Sequence, residues 1–88
     1  MEIFTITYVS LYGGQLWSET KVYNDRELLK IDYKEYVGDI ADKIDDDEEK
    51  DNFLKDYYEP EEICHNVHWE NWDGTEMYML ITEIQTIQ

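Results

Sequence analysis

The sequence predicts an α+β domain, a four-stranded antiparallel sheet made of two hairpins with one or two acidic helices on one face. Three observations carry this. Both ends of the chain alternate apolar and polar residues with a period of two, and the middle repeats its apolar residues every three or four positions. Gly13-Gly14 and Asp73-Gly74 stand where the two hairpins must turn. With strand, strand, helix, helix, strand, strand in chain order, the economical packing puts the helices on one side of a single sheet.

Residues 2–12 interleave Ile3, Phe4, Ile6, Tyr8, Val9 and Leu11 with Thr5, Thr7 and Ser10, a β-branched and aromatic composition that fits a pleated strand. After the glycine turn, Leu16 to Tyr23 reads as the returning strand. Asn24, three residues before Glu27, has the spacing of an N-terminal cap for a short helix or turn over Asp25 to Lys30. Asp32 and Glu35 repeat that spacing ahead of Val37, Ile40, Ala41 and Ile44, the stripe of an amphipathic helix. The run Asp45-Asp46-Asp47-Glu48-Glu49 interrupts the stripe, and Phe53, Leu54, Tyr57 and Tyr58 resume it on a second helix that ends before Pro60. From Ile63 the alternation returns through His65, Val67 and Trp69, and residues 75–87 give the last strand. Both faces of that strand are apolar, with Tyr78, Leu80, Thr82 and Ile84 on one and Met77, Met79, Ile81 and Ile87 on the other. It belongs at the centre of the sheet or in an oligomer interface, of which a homodimer is the simplest.

The 88 residues suffice for a single domain spanning 1–88. Three Trp, eight Tyr and two Phe supply buried area and argue against disorder. Twenty-two acidic residues against seven basic ones leave a net charge of −15, far more than solubility requires and costly in self-repulsion. Such a chain is repelled by DNA, RNA and anionic lipid, so its expected partner is basic. A lone Cys64 cannot form an internal disulfide, and neither a leader-like opening nor a membrane-spanning apolar run is present, which sets the expectation of a cytoplasmic protein.

Between Glu35 and Glu62 lie 13 of the 22 carboxylates and three lysines, a local net charge of −10. Carboxylates four residues apart on a helix are separated by about 6 Å of rise, close to two ~3.4 Å axial steps of a DNA strand. Asp39, Asp42, Asp46 and Glu49 have such spacing in outline. A cleft that grips phosphate through charge-assisted hydrogen bonds can grip a carboxylate in the same way. An acidic helical run is more often an ordinary solvated face, and it is the whole-chain imbalance that raises the functional reading here. The expected partner-binding residues are Asp39, Asp42, Asp45, Asp46, Asp47, Glu48, Glu49 and Asp51, with Trp72, beside a predicted turn, as an exposed aromatic anchor. Trp17, Trp69, Tyr57 and Tyr58 are expected mostly in the core.

Asp45, Asp47 and Glu49 alternate like the first half of an EF-hand loop, but Lys50 stands where that loop needs glycine and Asp56 where it needs glutamate. His65 and His68 flank a segment with Cys64 and Glu70, yet strand residues three apart project to opposite faces. No nucleophile with a base, and no phosphate-cradling glycine loop, has recognisable spacing. The expectation is therefore no catalytic residue, no metal and no cofactor.

Small size, acidity and an α+β pattern together resemble the DNA-mimic inhibitors of phages and mobile elements, the anti-restriction and anti-CRISPR proteins. The stretch Tyr8-Val9-Ser10-Leu11-Tyr12-Gly13-Gly14-Gln15-Leu16-Trp17 is similar to the opening of ArdA-type anti-restriction proteins, a strand, a Tyr- and Gly-containing turn and a Leu-x-Trp return. Glu61-Glu62 before His65 resembles a later segment. These stretches cover under a third of the chain and transfer no individual functional residue. The resemblance implies an inhibitor that occupies the cleft of a nuclease or a CRISPR or restriction component. The alternatives are an immunity protein that neutralises a basic toxin or nuclease, and a cation-binding domain.

Overall fold

The computed structural model describes residues 2–58 and 66–86, which form four strands and two helices. Strand β1 is Glu2–Tyr12 and β2 is Gln15–Tyr23, joined by the two residues Gly13 and Gly14 at φ +60° and +78°. Two successive positive φ values are the geometry that matches the twist of a two-residue hairpin, and glycine adopts them without steric cost. Helix α1 is Arg26–Asp42, α2 is Asp47–Tyr57, β3 is Asn66–Glu70 and β4 is Met77–Thr86. The sheet order is β2-β1-β4-β3 with every neighbouring pair antiparallel, so β4 is central, paired with β1 and β3. Residues 63–65 and 87, expected in strands, lie outside the described residues. No described helix is long and apolar enough to cross a membrane.

Alternation decides which face the helices cover. Phe4, Ile6 and Tyr8 of β1, Tyr78, Leu80 and Thr82 of β4 and Val67 of β3 all point to one side and are buried there. Leu29, Tyr33, Val37, Ile40 and Ala41 of α1, then Ile44 and Phe53, complete one cluster. Burying side chains of this size contributes roughly 1.5–3 kcal/mol each. The one hydroxyl among the most deeply buried side chains, that of Tyr33, donates to the Tyr57 carbonyl at 2.8 Å and so joins α1 to the end of α2.

The structure corrects the expected helix boundaries. Asp25, one residue beyond Asn24, is the α1 cap, accepting from the Glu27 N–H at 2.8 Å. The helix then runs through Asp32 without a new start, because Leu29, Tyr33 and Val37 are already one continuous stripe. Asp32 caps nothing; its carboxylate accepts from the Tyr23 hydroxyl, which fastens α1 to the edge strand β2. Two closing turns, Lys43 N–H to Ile40 and Ile44 N–H to Ala41, both 3.0 Å, end α1. Asp46 then caps α2, accepting from the Glu49 N–H at 3.0 Å. Asp47, Glu48 and Glu49 fill the first turn of α2, where the helix dipole favours negative charge.

Candidate partner-binding site

The eight carboxylates singled out from the sequence are all exposed, and they surround the junction of the two helices. They do not form one helical row. Asp39 and Asp42 stand on the last turns of α1, Asp45 and Asp46 in the junction, and Asp47, Glu48, Glu49 and Asp51 on α2. The break after Asp42 redirects the chain, so the outline of evenly spaced acids Asp39, Asp42, Asp46 and Glu49 is replaced by two grooves on either side of Lys43.

The first groove, about 370 Å³, is lined by Asp45, Asp46 and Glu49 together with Glu70 and Glu76, and is walled by Trp69 and Trp72. The Trp69 indole stacks on Tyr78 with centroids 5.9 Å apart. Burial and the adjacent Glu76 carboxylate push the Tyr78 phenol up to about 12. Lys43 lies over the Tyr78 ring at 5.4 Å.

Trp72 is 96% exposed, so it carries none of the core. Its loop is nonetheless fixed. Asn71 donates its backbone N–H to the Glu76 carbonyl at 3.1 Å and accepts the Glu76 N–H on its side-chain oxygen at 3.0 Å. The Thr75 hydroxyl and N–H both donate to Asp73, at 2.7 and 3.1 Å, and hold that carboxyl below its ordinary range. Gly74, at φ +75°, closes the turn by donating to the Asn71 carbonyl at 3.2 Å. An exposed indole on a hydrogen-bonded loop loses little further freedom when it docks.

The second groove, about 460 Å³, lies between α1 and the hairpin and is lined by Asp39, Asp42, Glu19, Tyr36, Tyr8 and Trp17. Tyr8 stacks on Tyr36 at 5.1 Å and meets Trp17 edge-on at 5.9 Å. Burial, then the Asp39 charge, raises the Tyr8 phenol above its ordinary value. Trp17, expected in the core, is 52% exposed because β2 is an edge strand. The local signal for an edge is the charged pair Glu19 and Lys21 at helix-facing positions of β2, where a central strand carries apolar residues. Tyr58 is also partly exposed, whereas Trp69 and Tyr57 pack on the core.

Asp47, Glu48 and Asp51 line neither groove and project from α2 into solvent. Asp42 approaches Lys50 at 3.9 Å, an exposed pair worth little. Asp45, Asp47 and Glu49 do not sit in a loop of EF-hand form, since α2 begins at Asp47. Among the described residues no three His, Cys, Asp or Glu side chains come together to hold a metal ion. His68 lies 4.0 Å from Glu70 on the opposite side of the sheet, and His65 and Cys64 lie outside the described residues. The arrangement can attract cations through its field and receive long basic side chains between carboxylates and aromatic walls. No protein-family model, curated protein or solved structure matches the chain.

Proposed function

We propose that the chain is a decoy of duplex DNA, an inhibitor of the anti-restriction or anti-CRISPR type that occupies the basic nucleic-acid-binding cleft of a defence or DNA-processing protein. The observation that carries this reading is the grouping of eight exposed carboxylates around one helix junction, flanked by two grooves with aromatic walls. The capped start of α2 and the Glu49 contact with Trp69 fix part of this charge in space. Imitation of phosphates needs such fixed spacing, because a mobile acidic tail offers charge without register. The solvated acids Asp47, Glu48 and Asp51 steer the encounter, and the grooves receive Arg and Lys side chains once contact is made. Trp72 supplies the desolvated anchor.

Immobilised chain exposed to a bacterial lysate tests the reading. A nucleic-acid enzyme retained at low salt, released by duplex DNA and weakened by added salt supports it. Retention of a partner that neither DNA nor salt displaces would count against it and in favour of an immunity role.

A further inference from the structure

The helices cover only one side of the sheet, and the other side is organised differently from the rest of the molecule. Its rows, read across the strands by register, are Leu16, Leu11, Met77 and Glu70, then Ser18, Val9, Met79 and His68, then Thr20, Thr7, Ile81 and Asn66. None of the seven Lys and Arg residues stands on it, because six belong to the helices or their junction and Lys21 points to the helix side. Of the described carboxylates it holds only Glu70, which at the end of edge strand β3 also borders the first groove, and Glu83, beyond the other end of that strand. The Thr7 and Thr20 hydroxyls satisfy each other at 3.1 Å. A chain of net charge −15 thus keeps the β2, β1 and β4 positions of these three rows free of charge, with Leu16 70% exposed.

We infer that this face is the interface of a homodimer, two copies packed sheet to sheet about a two-fold axis. Charge selects the occupant. A basic partner is drawn to the helices and finds on this face only Glu70 and Glu83, whereas the same face of a second copy presents matching Thr- and Met-bearing rows along β2, β1 and β4. Sheets packed face to face lie about 10 Å apart, so the helix layers come to rest roughly 30 Å from one another on the outside. That exceeds the ~8 Å screening length at physiological salt several times over. Face-to-face stacking is therefore an arrangement in which two such acidic chains associate without their helix-borne charges meeting.

The area is that of a small interface. Three strands over eight steps of ~3.3 Å and the five-residue β3, at ~4.8 Å spacing, give a flat footprint of roughly 450 Å², and its corrugated accessible area is larger. A standard interface uses about 800 Å² per partner. The dimer is independent of what the helices bind, and it would carry one acidic layer on each outer side.

Sedimentation equilibrium from about 10 μM to about 1 mM decides it. The expected mass is twice the 10.7 kDa chain, with association strengthened by salt. Met79→Lys and Leu16→Lys should each weaken the dimer roughly 100-fold by burying an unpaired ammonium, although both lower the repulsion between copies. Leu16 is already largely exposed, so its variant keeps the fold, which far-UV circular dichroism verifies. A chain that stays at 10.7 kDa throughout would overturn the inference and leave the face to a different partner. A dimer indifferent to both variants would overturn it too, and would point instead to pairing along the open edge of β2.

Discussion

The indole Nε1 of Trp69 donates to Oε1 of Glu49 at 2.7 Å, joining two residues 20 positions apart. Glu49 also gives its backbone N–H to Asp46, and Trp69 lies flat on Tyr78. The start of the acidic helix is thereby tied to the sheet and, through the loop after β3, to the wall of the groove that holds Trp72. Trp69→Phe keeps an aromatic ring and removes the donor. Glu49 remains exposed and can be hydrated, so the variant should lose about 0.5–1.5 kcal/mol of stability while weakening partner binding. Chemical denaturation and titration against the captured partner measure the two effects on one sample.

Trp72→Ala should separate binding from folding more cleanly. At 96% exposure the ring contributes nothing to the core, and substitutions at such positions usually stay within about 0.5 kcal/mol. Loss of a buried aromatic anchor in a complex costs about 2 kcal/mol or more, equivalent to at least a 30-fold weaker Kd. An unchanged melting curve with weakened binding is the expected pair of results.

Gly38 sits inside α1, and a Cβ added there meets nothing within 4 Å. Gly38→Ala should therefore stabilise the protein by about 0.5–1 kcal/mol through helix propensity and loss of unfolded-state freedom. In a domain of this size each kcal/mol corresponds to roughly 4–8 °C in Tm. A calorimetric scan of the variant checks the sign.

Much of the fold was legible because its signals are local. The alternation of residues 2–12 and the paired glycines specify the first hairpin, and the two apolar faces of the last strand narrow its place to the sheet centre or an oligomer interface, of which the strand order shows the first. The joining of two helical segments into α1 was not legible, since Asp32 has the composition of a cap and only the distant Tyr23 hydroxyl shows its other use. The acidic residues were identifiable as a group by charge alone. Their division into two grooves was hidden, because it depends on the turn at Lys43 and on how the edge strand β2 lies against α1, both products of tertiary packing.

Alkaline pH should unfold the protein in a defined window. Tyr78 is pushed from 10.0 to about 12, and burial drives Tyr23 and Tyr8 in the same direction. Above pH 10 the unfolded tyrosines lose protons that the folded ones keep, so this contribution is complete below about pH 10 and lost as pH rises through about 12. Asp73 acts with the opposite sign, its contribution being present above its ordinary 3.8 and lost as pH falls through its lower folded value. Tyrosinate absorbance and circular dichroism followed together should show some tyrosines ionising only as the fold is lost. Full ionisation near pH 10 with an intact fold would contradict this.

Charge reversal should raise stability while destroying capture. Asp39, Asp42 and Asp51 cap no helix, unlike Asp46, so the triple change to Lys relieves repulsion without removing a cap. Its Tm should rise relative to the parent at low salt, with the gap closing as salt is added. The association rate with a basic partner should fall at least ~10-fold, which stopped-flow fluorescence measures.

The most direct test of the decoy reading is displacement. A fluorescently labelled duplex is bound to the captured nucleic-acid enzyme, and the unlabelled chain is titrated in while anisotropy and complex mass are recorded. Mimicry predicts stoichiometric release of the duplex, with the chain's affinity falling steeply as salt increases. A ternary complex that holds chain and duplex together would contradict it.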